Sequence, residues 1–307
     1  MFPVVDILLT VILGTAGLGE ESVRALAAHS PLHIYFTGRN VAAANALIAD
    51  IKAKHPKTSL SFIKMDLSSL RAVKEAVARD FKHDRLDILM NNAGIIAKPA
   101  ILSTDGYEIQ FATNYLGHAM LTRELMPILL KTAKEPSADV SVVSNTSAGY
   151  EFHRAIKGGI SFDELDAGST MSRMMLGGWI RYGQSKLANI LFAAELARRH
   201  PELTSVAIHP GLVKTTMNTE MAGWSKTFVN VTSRISGEKW LEPHEGVLNQ
   251  LWCAAGAEKG ALRNGGYYTP GGVDSTEKLT AEARDEDLAG RLWKCCLLYT
   301  SPSPRDS

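Results

Sequence analysis

The stretch "VILGTAGLGEES", residues 11–22, decides the fold. An apolar, β-branched run gives way to a turn of small residues, and Gly17 and Gly19 stand where a helix opens. Small residues at such a junction let the backbone approach a pyrophosphate, whose charge the positive end of the helix attracts. A lone G-x-G occurs in many turns, so the reading depends on its surroundings. Twenty residues beyond Gly19 comes Arg39, in "FTGRN" just past the next apolar run. An acid there would bind the free ribose hydroxyl of NAD, whereas an arginine suits the 2′-phosphate of NADP. A solvated arginine at a strand end is the plainer alternative.

Working outward, short apolar runs alternate with amphipathic segments. "VVDILLTVIL" reads as a strand, "LGEESVRALAAHS" as a helix, "LHIYFTG" as a strand and "NVAAANALIADIKAKH" as a helix. "LSFIKMD", "SSLRAVKEAVARDFK" and "RLDILMNNAG" continue the alternation. A long helix is expected over 105–133, a strand at "ADVSVVSN", a helix at "RYGQSKLANILFAAELARRH" and a strand at "TSVAIHP". This order predicts an α/β fold, a doubly wound parallel sheet of Rossmann-like type covered on both faces, in one domain. Ligands of such sheets lie outside the carboxyl ends of the strands.

The bulk properties bound the function. The chain has 307 residues, 45% hydrophobic and 21% charged, which suits a large core. A net charge of +1 argues against nucleic acid as a partner. The apolar start lacks a basic flank and a cleavage site and is too short to span a bilayer, so neither signal peptide nor transmembrane segment is expected. Three cysteines, Cys253, Cys295 and Cys296, are too few for a disulfide framework, and the nine histidines are scattered, so no metal site is expected. A cytoplasmic, soluble protein is expected, with peripheral membrane contact left open. The end "CLLYTSPSPRDS" does not read as a domain end. Its reverse translation can give an adapter used in transposase-based sequencing libraries, so 295–307 is treated as an artefactual, disordered tail, and 1–294 as the domain.

"RYGQSK" places Tyr182 and Lys186 four apart, on one face of a helix. A tyrosine releases its proton near pH 10, and a neighbouring ammonium lowers that value. Such a phenol can serve as general acid or base. A Y-x-x-x-K pair by itself is common.

With its neighbours the pair is specific. "NNAG" at 91–94, "TNYLGHAMLT" at 113–122, "SNTSAG" at 144–149, "YGQSK" at 182–186 and "HPGLVKT" at 209–215 resemble, in order, the short-chain dehydrogenase/reductase family. The resemblance spans roughly residues 7–294. It implies an NADP(H)-dependent oxidoreductase, NAD being the lesser choice, that interconverts a carbonyl and an alcohol. Tyr182 would move the proton, Lys186 would hold the nicotinamide ribose and assist the phenol, and Ser147 would bind the substrate oxygen. Asn114 would hold a helix bend and a water that relays protons. Thr146 precedes the hydroxyl assigned to catalysis, and Ser144 is the weaker candidate for it.

The same resemblance implies that Gly14, Thr15, Ala16, Gly17, Leu18 and Gly19 form the phosphate loop, with Arg39 at the adenosine phosphate. Asp66 and Leu67 would flank the adenine, Asp66 also serving as a candidate cap of the following helix. Asn91, Asn92, Ala93 and Gly94 would line the cleft and brace the sheet. Pro210, Gly211, Val213 and Thr215 would shape the nicotinamide pocket.

Two departures stand out. Ile12 and Leu13 occupy the places where the family begins its loop with Thr-Gly, which motivates a second reading, a catalytically impaired binding or interaction protein. Ser147 and Tyr182 are 35 residues apart, more than in many members. The intervening segment, "EPHEGVLNQLWCAAG" and "NGGYYTPGG" resemble the retinol-dehydrogenase-like and related fungal branch. Met171, Met174, Met175, Leu176 and Trp179 are candidates for a pliant apolar wall, and 217–242 for a mobile lid. The substrate implied is apolar: a retinal-like aldehyde, a steroid-like ketone and a polyketide intermediate all fit. A homodimer through the helices flanking the sheet is one option, and the oligomeric state stays open.

Overall fold

The computed structural model describes residues 8–11, 14–165, 176–215, 227 and 239–300. Ile12, Leu13, Met171, Met174, Met175 and nearly all of the expected lid therefore lie outside the described residues.

The first half alternates β1 (Leu8–Val11), α1 (Gly17–Ala27), β2 (His33–Gly38), α2 (Val41–Lys54), β3 (Leu60–Lys64), α3 (Leu70–Asp80) and β4 (Ile88–Asn91). Every residue of β2 and β4 is buried, as strands covered on both faces require. Local chemistry sets the helix starts. Asn40 accepts a hydrogen bond from the Ala43 amide at the head of α2, and Ser69 accepts one from Ala72 at the head of α3. Ser69, not Asp66, is therefore the cap of α3.

The second half holds α4 (Ile109–Phe111), a π-helical turn (Ala112–Leu116), α5 (Gly117–Thr132), β5 (Ser141–Asn145), α6 (Gly177–Arg199) and β6 (Thr204–Ile208). The helix expected from residue 105 starts at 109 because Glu108 accepts from the Phe111 amide and caps it. Gly117 follows the π turn where a Cβ would stand 2.3 Å from the Leu67 carbonyl oxygen, so only glycine lets this helix approach the end of β3 so closely.

β7 (Leu212–Val213), β8 (Trp240–Leu241), α7 (Pro243–Leu251), β9 (Tyr267–Thr269), β10 (Val273–Asp274) and α8 (Glu286–Thr300) complete the order. The main sheet runs β10-β9-β6-β5-β4-β1-β2-β3, parallel except for β10, with β7–β8 a separate pair. It is the doubly wound parallel sheet expected. β1 lies between β2 and β4, so the chain reverses its direction of winding there and opens a crevice at the strands' carboxyl ends. The seventh parallel strand and its antiparallel neighbour are additions to the expected sheet. At two and three residues they are too short to show a period.

One core lies on the α3, α5 and α6 face, around Leu70, Leu125, Leu187 and Leu191. The other lies beneath α1 and α2, around Val23, Leu26, Leu47 and Ile51. α8 packs along α6, with Trp293 stacked on Phe192 at 5.7 Å between ring centroids. α8 runs through Thr300 with Cys296 buried, and 301–307 of the expected tail lie outside the described residues. No helix among the described residues is long and apolar enough to cross a membrane.

Candidate active site

Several of the residues singled out by the sequence lie together in the crevice. Tyr182 and Lys186, both 4% exposed, project from α6. The Lys186 Nζ lies 5.8 Å from the centroid of the Tyr182 ring and donates to the Asn145 carbonyl oxygen at 3.0 Å. That carbonyl, at the end of β5, also accepts from Asn189 Nδ2 at 3.0 Å. Thr146 Oγ1 donates to the Lys186 carbonyl at 2.7 Å and ties β5 to α6.

Ser147 Oγ accepts from the Gly149 amide at 3.1 Å, and a Cβ on Gly149 would stand 3.1 Å from Tyr182 Cε1 and 3.4 Å from Ser147 Oγ, so the hydroxyl and the phenol ring share one corner of the crevice. Ser144 Oγ, by contrast, is buried without a partner, so Ser147 is the hydroxyl that stands with the phenol.

Electrostatics correct one expectation. The Tyr182 pKa does not fall: burial pushes it up to about 12, and the neighbouring Ser147 hydroxyl opposes that only in part. Burial also pulls Lys186 down to about 7. The pocket is dry enough that the cost of holding either charge outweighs the attraction between them.

Asn114 sits within the π turn, a local departure frequent at functional positions. Its Oδ1 accepts from the Ile95 amide at 2.8 Å, and its Nδ2 donates to the Ile95 carbonyl at 3.0 Å and to Ser185 Oγ at 2.9 Å. His118, one turn later, bonds the Asn114 carbonyl at 2.9 Å through Nδ1.

The described part of the glycine loop, from Gly14, leads into an uncapped helix start. Gly17 has φ +54°, a conformation that favours glycine. α1 has no side-chain cap, unlike α2 and α3, so its first amides stay available. A Cβ on Gly17 would meet Thr215 Cγ2 at 3.4 Å, and the Thr215 hydroxyl is buried without a partner. An orphaned hydroxyl beside uncapped amides fits the phosphates or amide of a dinucleotide.

Next to this loop an open pocket is lined by Gly38, Arg39, Asp66, Leu67, Ile95 and Thr113 among others. Arg39 is exposed at its rim. Asp66 commits Oδ1 to the Ser68 amide and hydroxyl at 2.9 and 2.7 Å. Thr15 Oγ1 lies against Gly38, and Gly14 donates its amide to Thr37 at 3.1 Å.

Of the "NNAG" residues, Asn91 turns away and donates to Thr122 Oγ1 at 3.1 Å, a brace behind the sheet. Asn92 Oδ1 accepts from Asn145 Nδ2 at 3.1 Å, Ala93 is buried, and Gly94 lies against Lys186. Pro210 and Gly211 follow β6, Gly211 against Leu241 and Pro270. The Val213 side chain packs on Gly246 and so faces α7. Leu18 contacts Gly246, and Gly19 is buried in α1. Trp179 is 4% exposed, with its ring edge-on to Tyr182 at 6.2 Å and 5.4 Å from Phe152, while Leu176 is half-buried.

The sequence reading missed Asn145, Asn189 and Ser185. Asn189 and Ser185 were within reach of it, since 182, 185, 186 and 189 share one face of a helix. Asn145 shows its role only once β5 meets α6. Among the described residues no set of three His, Cys, Asp or Glu is placed to hold a metal ion.

Comparisons with known proteins agree with this architecture. The family described as short chain dehydrogenase matches residues 9–156. The chain is 36% identical to the short-chain dehydrogenase/reductase drtF of Aspergillus calidoustus, over 92% of this chain and 89% of that one. It is 32% identical to an uncharacterized oxidoreductase of Schizosaccharomyces pombe, over 94% and 85%. Among solved structures, the NADPH-bound carbonyl reductase from chicken fatty liver superposes with a TM-score of 0.62 at 20% identity, covering 90% of this chain and 98% of that one.

Proposed function

The chain belongs to the short-chain dehydrogenase/reductase family, and on that premise we propose that it reduces and reoxidises an apolar carbonyl–alcohol pair with NADP(H). It is an oxidoreductase whose fold takes a nicotinamide cofactor. The observation that carries the finer reading is the buried Tyr182–Lys186 pair, with Lys186 Nζ 5.8 Å from the ring centroid and Ser147 at the same corner of the cleft.

Bound NADPH would supply a hydride to the carbonyl carbon. Gly14–Gly19, the uncapped start of α1 and Thr215 would hold its phosphates and amide, and Arg39 its 2′-phosphate. Ser147 orients the substrate oxygen towards the phenol. Tyr182, protonated at neutral pH as a tyrosine ordinarily is and kept so by burial, donates its Oη proton as negative charge develops on that oxygen. The resulting phenolate is held by Ser147 and by the ammonium of Lys186, which Asn145 and Asn189 keep in place. Trp179 beside Tyr182, with Phe152 against Trp179, supports an apolar substrate.

The test is NADPH oxidation by the full chain against a panel of apolar aldehydes and ketones, with Tyr182→Phe alongside. Turnover should fall by about 10²–10⁴-fold in the variant while NADPH binding is kept. Unchanged turnover in Tyr182→Phe removes the phenol from the mechanism.

A further inference from the structure

One buried feature has no role in that chemistry. Arg181, immediately before Tyr182, donates Nε to Glu108 Oε1 at 3.2 Å, and the two side chains are 3% and 5% exposed. A buried ion pair is poor evidence for stability, because desolvation offsets the attraction and apolar replacements are often neutral or better. Here Arg181 Nη1 is also buried with no partner at all, an added cost. The pair's contacts point to geometry as its benefit.

Arg181 Nη2 donates to the Lys98 carbonyl at 3.0 Å. Glu108 Oε2 accepts from the Phe111 amide at 2.8 Å and starts the helix that enters the π turn. Gln110 completes the frame, accepting from the Lys98 amide at 3.4 Å and donating to the Gly178 carbonyl at 3.0 Å. The other end of the same stretch is gripped by Asn114 through both polar groups of Ile95. Between the grips, Ala97 is held at φ +49°, a left-handed conformation that persists only where the surroundings over-determine it.

This stretch is the partition of the cleft. On one side Ile95 lines the pocket that carries Arg39 and Asp66. On the other, a Cβ on Gly94 would stand 3.3 Å from Lys186 Nζ. We propose that Glu108 and Arg181 are positioning residues that lock the Gly94–Lys98 wall between the Arg39 pocket and the Tyr182–Lys186 pair. The pair couples the first turns of α6 to the π turn that presents Asn114. Its benefit for turnover rests on the dinucleotide reading above.

The test compares Arg181→Met, Glu108→Gln and the double variant in the full chain. Three measurements are taken: the unfolding midpoint, amide exchange over 94–98, and NADPH affinity with kcat and KM. Each single variant should unfold earlier, because it strands one buried charge, and the double should regain much of the midpoint. In the double, the Ile95 and Lys98 amides should exchange at least about tenfold faster while α6 stays protected. NADPH affinity and kcat should remain about 10- to 100-fold down, with the carbonyl KM little changed. A double variant with recovered midpoint and wild-type exchange, affinity and kcat overturns the proposal and leaves the pair a matter of stability.

Should the double not regain its midpoint, Arg181→Lys decides. It keeps a charge facing Glu108 but lacks the planar fork that reaches Lys98 as well. Faster exchange at 94–98 is expected there, and wild-type exchange overturns the proposal. If the wild-type chain binds no dinucleotide, the functional reading fails by itself, while the exchange measurement still tests the wall.

Discussion

The ammonium of Lys186 donates to the main-chain carbonyl of Asn145 at 3.0 Å and stands 5.8 Å from the centroid of the Tyr182 ring. The lysine is thus tethered to the sheet, and its influence on the phenol acts across the ring. A tether to a neutral carbonyl leaves the buried charge only partly compensated, which is why the Lys186 pKa falls to about 7.

That shift has a sign that stability can read. The folded value lies near 7 and the unfolded value near 10.5, so between them the unfolded chain binds the extra proton. Stability should therefore rise with pH across that window, by on the order of 1.4 kcal/mol per pH unit. Denaturant midpoints of wild type and Lys186→Met between pH 7 and 9.5 check it. The wild-type curve should climb relative to the variant, and parallel curves would contradict a depressed lysine.

Acid should act through buried imidazoles. Burial lowers His118 to about 3 and His209 to about 4, both from 6.5. Each folded value is depressed, so stability is intact above pH 6.5 and is lost as pH falls towards 4 and 3. Between pH 6.5 and 5 the loss should be on the order of 2 kcal/mol per histidine. His209→Gln should flatten the profile by one such share, and an unchanged slope in the variant would show that His209 carries none of it.

Thr215 should separate ligand binding from stability. Its hydroxyl is buried and unpaired, so Thr215→Val should raise the unfolding midpoint of the free protein, by about 1 kcal/mol. NADPH affinity should fall in the same variant. Loss of stability together with unchanged affinity would mean that the hydroxyl serves the protein and not a ligand.

Arg39 addresses cofactor choice. Arg39→Asp should weaken NADPH by at least about tenfold, the scale of a charge-assisted contact to phosphate. NADH binding should change little. Fluorescence titrations with both dinucleotides check this, and equal effects on the two would remove Arg39 as the selector.

Much of the site was legible because its signals are local. Tyr182, Lys186 and Gly17 announce themselves by helical spacing or by a strand–turn–helix junction. Asp66 shows the limit. Its place just past β3 was readable, but Asp66 accepts from the Ser68 amide, and the cap of α3 falls to Ser69, which accepts from Ala72. β9 and β10 were illegible because two or three residues carry no period, and neighbouring strands supply their partners.

By itself, the order of apolar runs and helical periods determined a doubly wound parallel sheet, and with it the end of that sheet where a ligand binds. Those features follow from side-chain period and backbone chirality, which are written along the chain. Only the tertiary structure decided the protonation of the Tyr182–Lys186 pair and the burial of Glu108 against Arg181. Both depend on how much water is excluded when distant segments meet, and that quantity exists only once the segments are packed.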